Sequence, residues 1–168
     1  MQTPIQIFQN KPERTCGECT KCCEGSLSGE IKLKDGRVYQ LGPTPCPVLQ
    51  LGKGCAEYEN RPENPCVGFS CEWLRHPDVY PEEMRPDRAG AIFSLQNAKG
   101  VGYLRITEAG QRLDSEVLSF GIKLALMNKF NLYWEIDGSI HWFGNKDFIT
   151  IMNEERNNNL IKDNEAKK

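Results

Sequence analysis

The sequence predicts an α+β fold, and three observations carry that prediction. An apolar stripe at helical spacing runs from Leu113 to Met127. Candidate strand pairs lie on either side of it, and a loop-rich stretch holding every cysteine precedes them. The eight cysteines all fall between Cys16 and Cys71 of the 168 residues, so composition changes partway along the chain. The Pro- and charge-rich segment from Pro77 to Arg88 marks the expected change. The predicted organisation is an N-terminal segment (1–15), a cysteine module with a short hairpin and loops (16–76), a small α+β part with two strand pairs and one main helix (88–156), and a polar tail (157–168).

In the cysteine module, Glu30–Lys34 and Arg37–Leu41 flank Asp35-Gly36, a pair suited to the positive φ angles of a tight hairpin turn. Residues 42–66 carry Pro43, Pro45, Pro47, Pro62 and Pro65, which exclude long helices and leave loops in need of cross-linking. In the second part, Ala91–Gln96 and Val101–Thr107 pair across Asn97–Gly100. Asp114 caps a helix reaching about Phe130, whose core face carries Leu113, Val117, Phe120, Leu124 and Met127, widened by Leu118, Ile122 and Leu126. Leu132–Ile136 and Ser139–Phe143 form a hairpin about Asp137-Gly138, with Trp134 and Trp142 expected to face each other across it. Asn145 caps a short last helix carrying Phe148, Ile151 and Met152, and the residues from Asn157 read as a frayed tail.

The bulk numbers exclude several function classes. The apolar fraction is 39%, low for a chain held by packing alone. A formal charge of −2, from 21 basic and 23 acidic residues, provides no broad field for nucleic acid. No stretch approaches the roughly 20 apolar residues that span a bilayer. The start Met1-Gln2-Thr3-Pro4-Ile5-Gln6-Ile7-Phe8 has neither the charge nor the apolar core of a signal peptide. The expectation is a soluble, cytoplasmic chain without a membrane or nucleic-acid partner, in which thiols stay reduced.

Against that background the cysteines read as metal ligands. Their spacing is Cys16-x2-Cys19-x2-Cys22-Cys23, followed by Cys46, Cys55, Cys66 and Cys71. A C-x-x-C pair brings two thiolates to one metal from a single turn, and Gly17 inside the first pair accepts an unusual backbone angle. Cys22 and Cys23 are neighbours, so their side chains point apart. That leaves two sites, one shared polynuclear cluster, or one metal with spare thiols. Eight thiolates match two four-cysteine zinc sites by count, and four would satisfy one cubane iron–sulfur cluster. Four disulfides are the competing reading, which the missing export signal disfavours.

The run Cys16-x-x-Cys19-x-x-Cys22-Cys23, with Cys46-Pro47-x-Leu49, Cys55-Ala-Glu-Tyr58-Glu59-Asn60-Arg61-Pro62 and Cys66-x-x-Phe69-x-Cys71, resembles the YkgJ-type cysteine-cluster family, described as zinc- or iron-chelating proteins. The resemblance covers residues 16–73 and keeps the order of all eight cysteines. It implies chelation of zinc or iron rather than a particular reaction. The alternative is an iron–sulfur protein with redox or radical-type activity.

The remaining candidates weigh less. Arg61 reads either as a donor to cluster sulfurs or an anion, or as an ion-pair partner of Glu57 or Glu63. Tyr58, Phe69 and Trp73 are expected to wall the cluster from solvent. His76 follows Cys71 by five residues and could complete a mixed site, whereas His141 lies in a hairpin strand. Glu82-Glu83 and the other carboxylates form no recognisable acid–base pair, and no catalytic constellation emerges.

Overall fold

The structure, a computed structural model, describes residues 14–26, 29–42 and 44–166, with side chains as far as Asn158. Most of the expected N-terminal segment 1–15, Pro43 and the last two residues of the expected tail lie outside the described residues. The fold is α+β, as the sequence predicts, with one four-stranded sheet and two small hairpins.

The sheet is built from β5 (Ala91–Ala98), β6 (Val101–Glu108), β7 (Asn131–Ile136) and β8 (Ser139–Phe143), in that spatial order. β5 and β6 are antiparallel around Lys99-Gly100, whose φ angles of 49° and 88° are those of a tight two-residue hairpin turn. β6 and β7 run parallel, so the chain must cross over, and helix α3 (Ser115–Asn128) makes that connection. β7 and β8 pair around Asp137-Gly138, again with both φ angles positive.

Alternation along the strands sends side chains to two faces. Phe93, Leu104, Ile106 and Leu132 meet α3, while Tyr103, Tyr133 and Trp142 meet α4 (Lys146–Ala166) through Phe148 and Met152. The aromatic rings of Tyr80, Phe93 and Phe120 meet at 5.3–5.8 Å on the α3 side. Such pairs contribute about 0.5–1.5 kcal/mol each beyond area burial. The buried Asn131 is satisfied from both ends: its Nδ2 donates to the Gly102 carbonyl at 2.8 Å, and its Oδ1 accepts from the Asn145 N–H at 2.8 Å. Asn145 Oδ1 in turn accepts from the Phe148 N–H, the expected cap of α4.

Helix α3 begins where expected, with Asp114 Oδ1 accepting from the Glu116 N–H at 2.7 Å. Its core face differs from the expected stripe. Val117, Gly121 and Ala125 are buried at the centre, with Leu118, Phe120, Ile122 and Leu124 half-buried beside them, and Leu126 and Met127 are exposed. Small residues at the centre let the helix sit close to the sheet, where a Cβ on Gly121 would run into Ile106 and approach Phe93. Trp134 and Trp142 also do not face each other. Trp134 lies opposite His141 and stacks on it at 5.4 Å, while Trp142 lies opposite Tyr133 on the other face. The last helix is long rather than short, continuing through Ala166 into the expected frayed tail.

Before the sheet, β1 (Gly29–Lys32) and β2 (Val38–Leu41) form the expected hairpin. Its turn is wider than two residues: Gly36 N–H donates to the Leu33 carbonyl, and Leu33 N–H to the Arg37 carbonyl. Two-residue strands β3 (Leu49–Gln50) and β4 (Gly54–Cys55) make a second, unforeseen hairpin in the Pro-rich stretch. Short helices α1 (Glu72–Arg75) and α2 (Pro86–Ala89) then lead to β5. The main core reaches back beyond residue 88, because Cys71, Trp73 and Tyr80 are buried with β5 and β6.

Candidate metal centre

The first four cysteines lie on two successive tight turns. Gly17 takes a φ of 53°, and the Cys19 N–H donates to the Cys16 carbonyl at 2.9 Å. A single 3-10 turn, Lys21–Cys23, follows, with the Cys23 N–H donating to the Thr20 carbonyl at 2.8 Å. Glu24 locks this turn by accepting from both Thr20 Oγ1 and Lys21 Nζ at 2.6 Å. Adjacent in the chain, Cys22 and Cys23 enter different apolar clusters. Cys22 packs on the main core beside Cys71, and Cys23 packs with Cys66 on the small cluster of Ile31, Leu41 and Cys46.

Distant parts of the chain meet at the first of these places. Arg14 Nη1 donates to the Trp73 carbonyl at 2.8 Å, and its guanidinium lies 4.4 Å from the Trp73 ring centroid. Residues around Cys16 are thereby held against α1, whose N-cap is Cys71. Burial pushes the Cys22 thiol well up, and the neighbouring Cys71, Cys19, Cys23 and Cys16 push it further. Cys71 is raised by burial and by Cys16 and Cys19. Cys16 is raised by burial and by Cys19, with Arg61 and Arg85 opposing.

The second place is built by the hairpins. Cys46 N–H donates to the Cys23 carbonyl at 2.8 Å, and Leu49 N–H donates to the Cys46 carbonyl at 3.0 Å. Leu49 on β3 pairs with Cys55 on β4, which carries Cys55 to the same neighbourhood. The helical turn Glu63–Val67 presents Cys66. Cys23 is pushed up to about 11 by burial and then by Cys46, Cys55 and Cys66. Cys66 is raised by burial and by Cys46 and Cys55, with Arg61 opposing. All eight cysteines are free thiols. Among the described residues, no three His, Cys, Asp or Glu side chains converge as a ready ligand set.

The other candidates separate on inspection. Arg61 lies over the Tyr58 ring at 3.5 Å and donates through Nε to the Tyr58 carbonyl, while Glu57 is held by Arg37 at 2.7 Å. Tyr58 is 59% exposed, so it forms no wall, whereas Phe69 and Trp73 pack beside Cys22 and Cys71. His76 Nε2 sits 3.2 Å from a carboxylate oxygen of Glu72. No motif or spacing in the sequence marks Arg14, Arg85 or the buried Glu72. Arg14 and Arg85 are recruited by the face of Trp73, a contact that no local spacing announces.

No model of a known family, no curated protein and no solved structure matches the chain. No helix among the described residues is long and apolar enough to cross a membrane.

Proposed function

We propose that the chain is a metal-binding protein that takes up zinc or iron through its eight cysteine thiolates. One observation carries the reading. All eight cysteines are free thiols, and Cys23, Cys46 and Cys66 pack in a small apolar cluster whose buried members among the described residues are Ile31, Leu41 and Cys46. A region so poor in packing gains most from cross-links, and thiolates are the donors zinc and iron accept. The donor chemistry fits: four sulfurs satisfy a tetrahedral ion, and the backbone turns at Cys16–Cys19 and Cys46–Leu49 hold sulfur-bearing residues in compact loops. The spaced motif from Cys16 to Trp73, with its resemblance to zinc- or iron-chelating proteins, supports the same reading.

An iron–sulfur centre with redox or radical chemistry is the second reading. Cys22 and Cys71 favour it, because they are set in the main core beside Phe69 and Trp73, and shielding from solvent tunes such centres. Anaerobic purification followed by elemental analysis and an absorption spectrum tests both. Colourless protein with about two zinc ions per chain supports a zinc site pair. Brown protein with iron and acid-labile sulfide supports the iron–sulfur reading. Protein that carries neither metal, and binds neither after reduction, overturns the proposal.

A further inference from the structure

We infer that metal draws the eight cysteines into two separate four-thiol sites, Cys16–Cys19–Cys22–Cys71 and Cys23–Cys46–Cys55–Cys66, divided at the Cys22–Cys23 peptide bond. This rests on the metal-binding reading and adds which thiols share an ion.

The division follows from the backbone. Two turns closed by i to i+3 hydrogen bonds, Cys19 to Cys16 and Cys23 to Thr20, follow one another directly over residues 16–19 and 20–23. Side chains of adjacent residues point apart, so Cys22 and Cys23 leave the second turn in different directions, with Cys19 and Cys16 preceding Cys22 at intervals of three. The packing agrees, because Cys22 and Cys23 enter different apolar clusters. Each side then acquires its remaining members by a different route. Arg14, clamped on Trp73, brings the Cys16 turn to Cys71 at the start of α1. On the other side, the Cys46 N–H bonds to the Cys23 carbonyl, the β3–β4 pairing delivers Cys55, and Cys66 packs on the same small cluster.

The two sets are nested in sequence rather than crossed. The span from Cys22 to Cys71 encloses the whole of the second set. The inner site closes the hairpin region on itself, and the outer site fastens that region to the sheet core through Cys71. Metal at the two sites therefore has different structural consequences, although the donors are identical.

The test uses the full reduced chain reconstituted anaerobically with cadmium-113, read by cadmium–proton correlation. The expected result is two cadmium resonances, one coupled to the β-protons of Cys16, Cys19, Cys22 and Cys71, the other to those of Cys23, Cys46, Cys55 and Cys66. Cobalt uptake in paired variants adds an independent count. Cys16→Ser/Cys71→Ser and Cys46→Ser/Cys66→Ser should each keep one of two equivalents, whereas Cys22→Ser/Cys46→Ser should lose both. A resonance coupled to cysteines of both sets, or one cluster bridging all of them, overturns the division while leaving metal binding intact. Failure of the unsubstituted chain to bind cadmium removes the metal-binding reading itself, and the division with it. The resonance assignment needs no variant, so a misfolded variant does not decide the outcome.

Discussion

Residues 29–67 and 91–143 both contain antiparallel hairpins, but the hairpins differ in what lies behind them. β5 and β6 are eight residues long and backed by a fourteen-residue helix. Their buried cluster takes in Phe93, Leu104, Ile106, Val117 and Leu132, with Tyr80 and Trp73 arriving from the preceding loop. β1 and β2 are four residues long, β3 and β4 two, and among the described residues their shared cluster buries Ile31, Leu41 and Cys46. Ordering the backbone costs free energy per residue in either region, and the sheet region sets a much larger buried apolar cluster against that cost. Strand pairing alone does not make a stable unit. What covers the pairs decides it.

On the proposed metal-binding reading, removing the metal is the largest test of that difference. Coupling of metal binding to folding in small thiolate modules amounts to about 10 kcal/mol or more. Stripping the reduced chain with a strong chelator should release the amides of Gly29–Lys32 and Val38–Leu41 to exchange. Those of Ala91–Ala98, Val101–Glu108 and Ser115–Asn128 should keep most of their protection, and Trp73 should stay buried with them. Retained protection at Ile31 and Leu41 in metal-free, reduced protein would show that the small apolar cluster suffices.

The same contrast explains what was legible in the sequence. The sheet region announces itself because its elements are long, periodic and locally capped. Asp114, Asn145 and Asp137-Gly138 all do what their residue types suggest. Large side chains mark the expected centre of α3, whereas the contact belongs to Gly121 and Ala125, because closeness to the sheet favours small residues there. The Trp134–Trp142 pairing failed on register: with Asp137 and Gly138 as the turn, Trp134 falls opposite His141. The eight candidate thiols were plain from spacing, and so was the divergence of Cys22 from Cys23. Where the chain sets the turns that carry the other six is not, since it depends on Arg14 reaching Trp73 and on the short β3–β4 pairing, neither of which leaves a periodic trace.

The second test moves to the sheet. Phe93 is 1% exposed and touches the Tyr80 and Phe120 rings. Phe93→Ala should cost about 3–5 kcal/mol in urea unfolding of the metal-loaded protein. If the regions are stabilised by different means, metal content under native conditions should stay at the unsubstituted level. A loss below about 1 kcal/mol would mean that the ring does not anchor α3 to the sheet as its burial indicates.

The smallest effect is the most pointed, because two forces oppose each other at one residue. Gly121 sits inside α3, where replacing glycine by alanine ordinarily gains about 1 kcal/mol of helix propensity. The new methyl would run into Ile106 and lie 3.2 Å from Phe93. The end of an isoleucine side chain usually yields, but Ile106 is fully buried and Phe93 closes the space beside it. Overpacking of this kind costs about 1–3 kcal/mol. Gly121→Ala should therefore destabilise the fold by about 1 kcal/mol net, with metal content unchanged. Paired with Phe93→Ala, the penalty should vanish or reverse, since removing the ring opens the space the methyl needs. A stabilising Gly121→Ala on the unsubstituted background would mean that α3 stands farther from the sheet than its small-residue face requires.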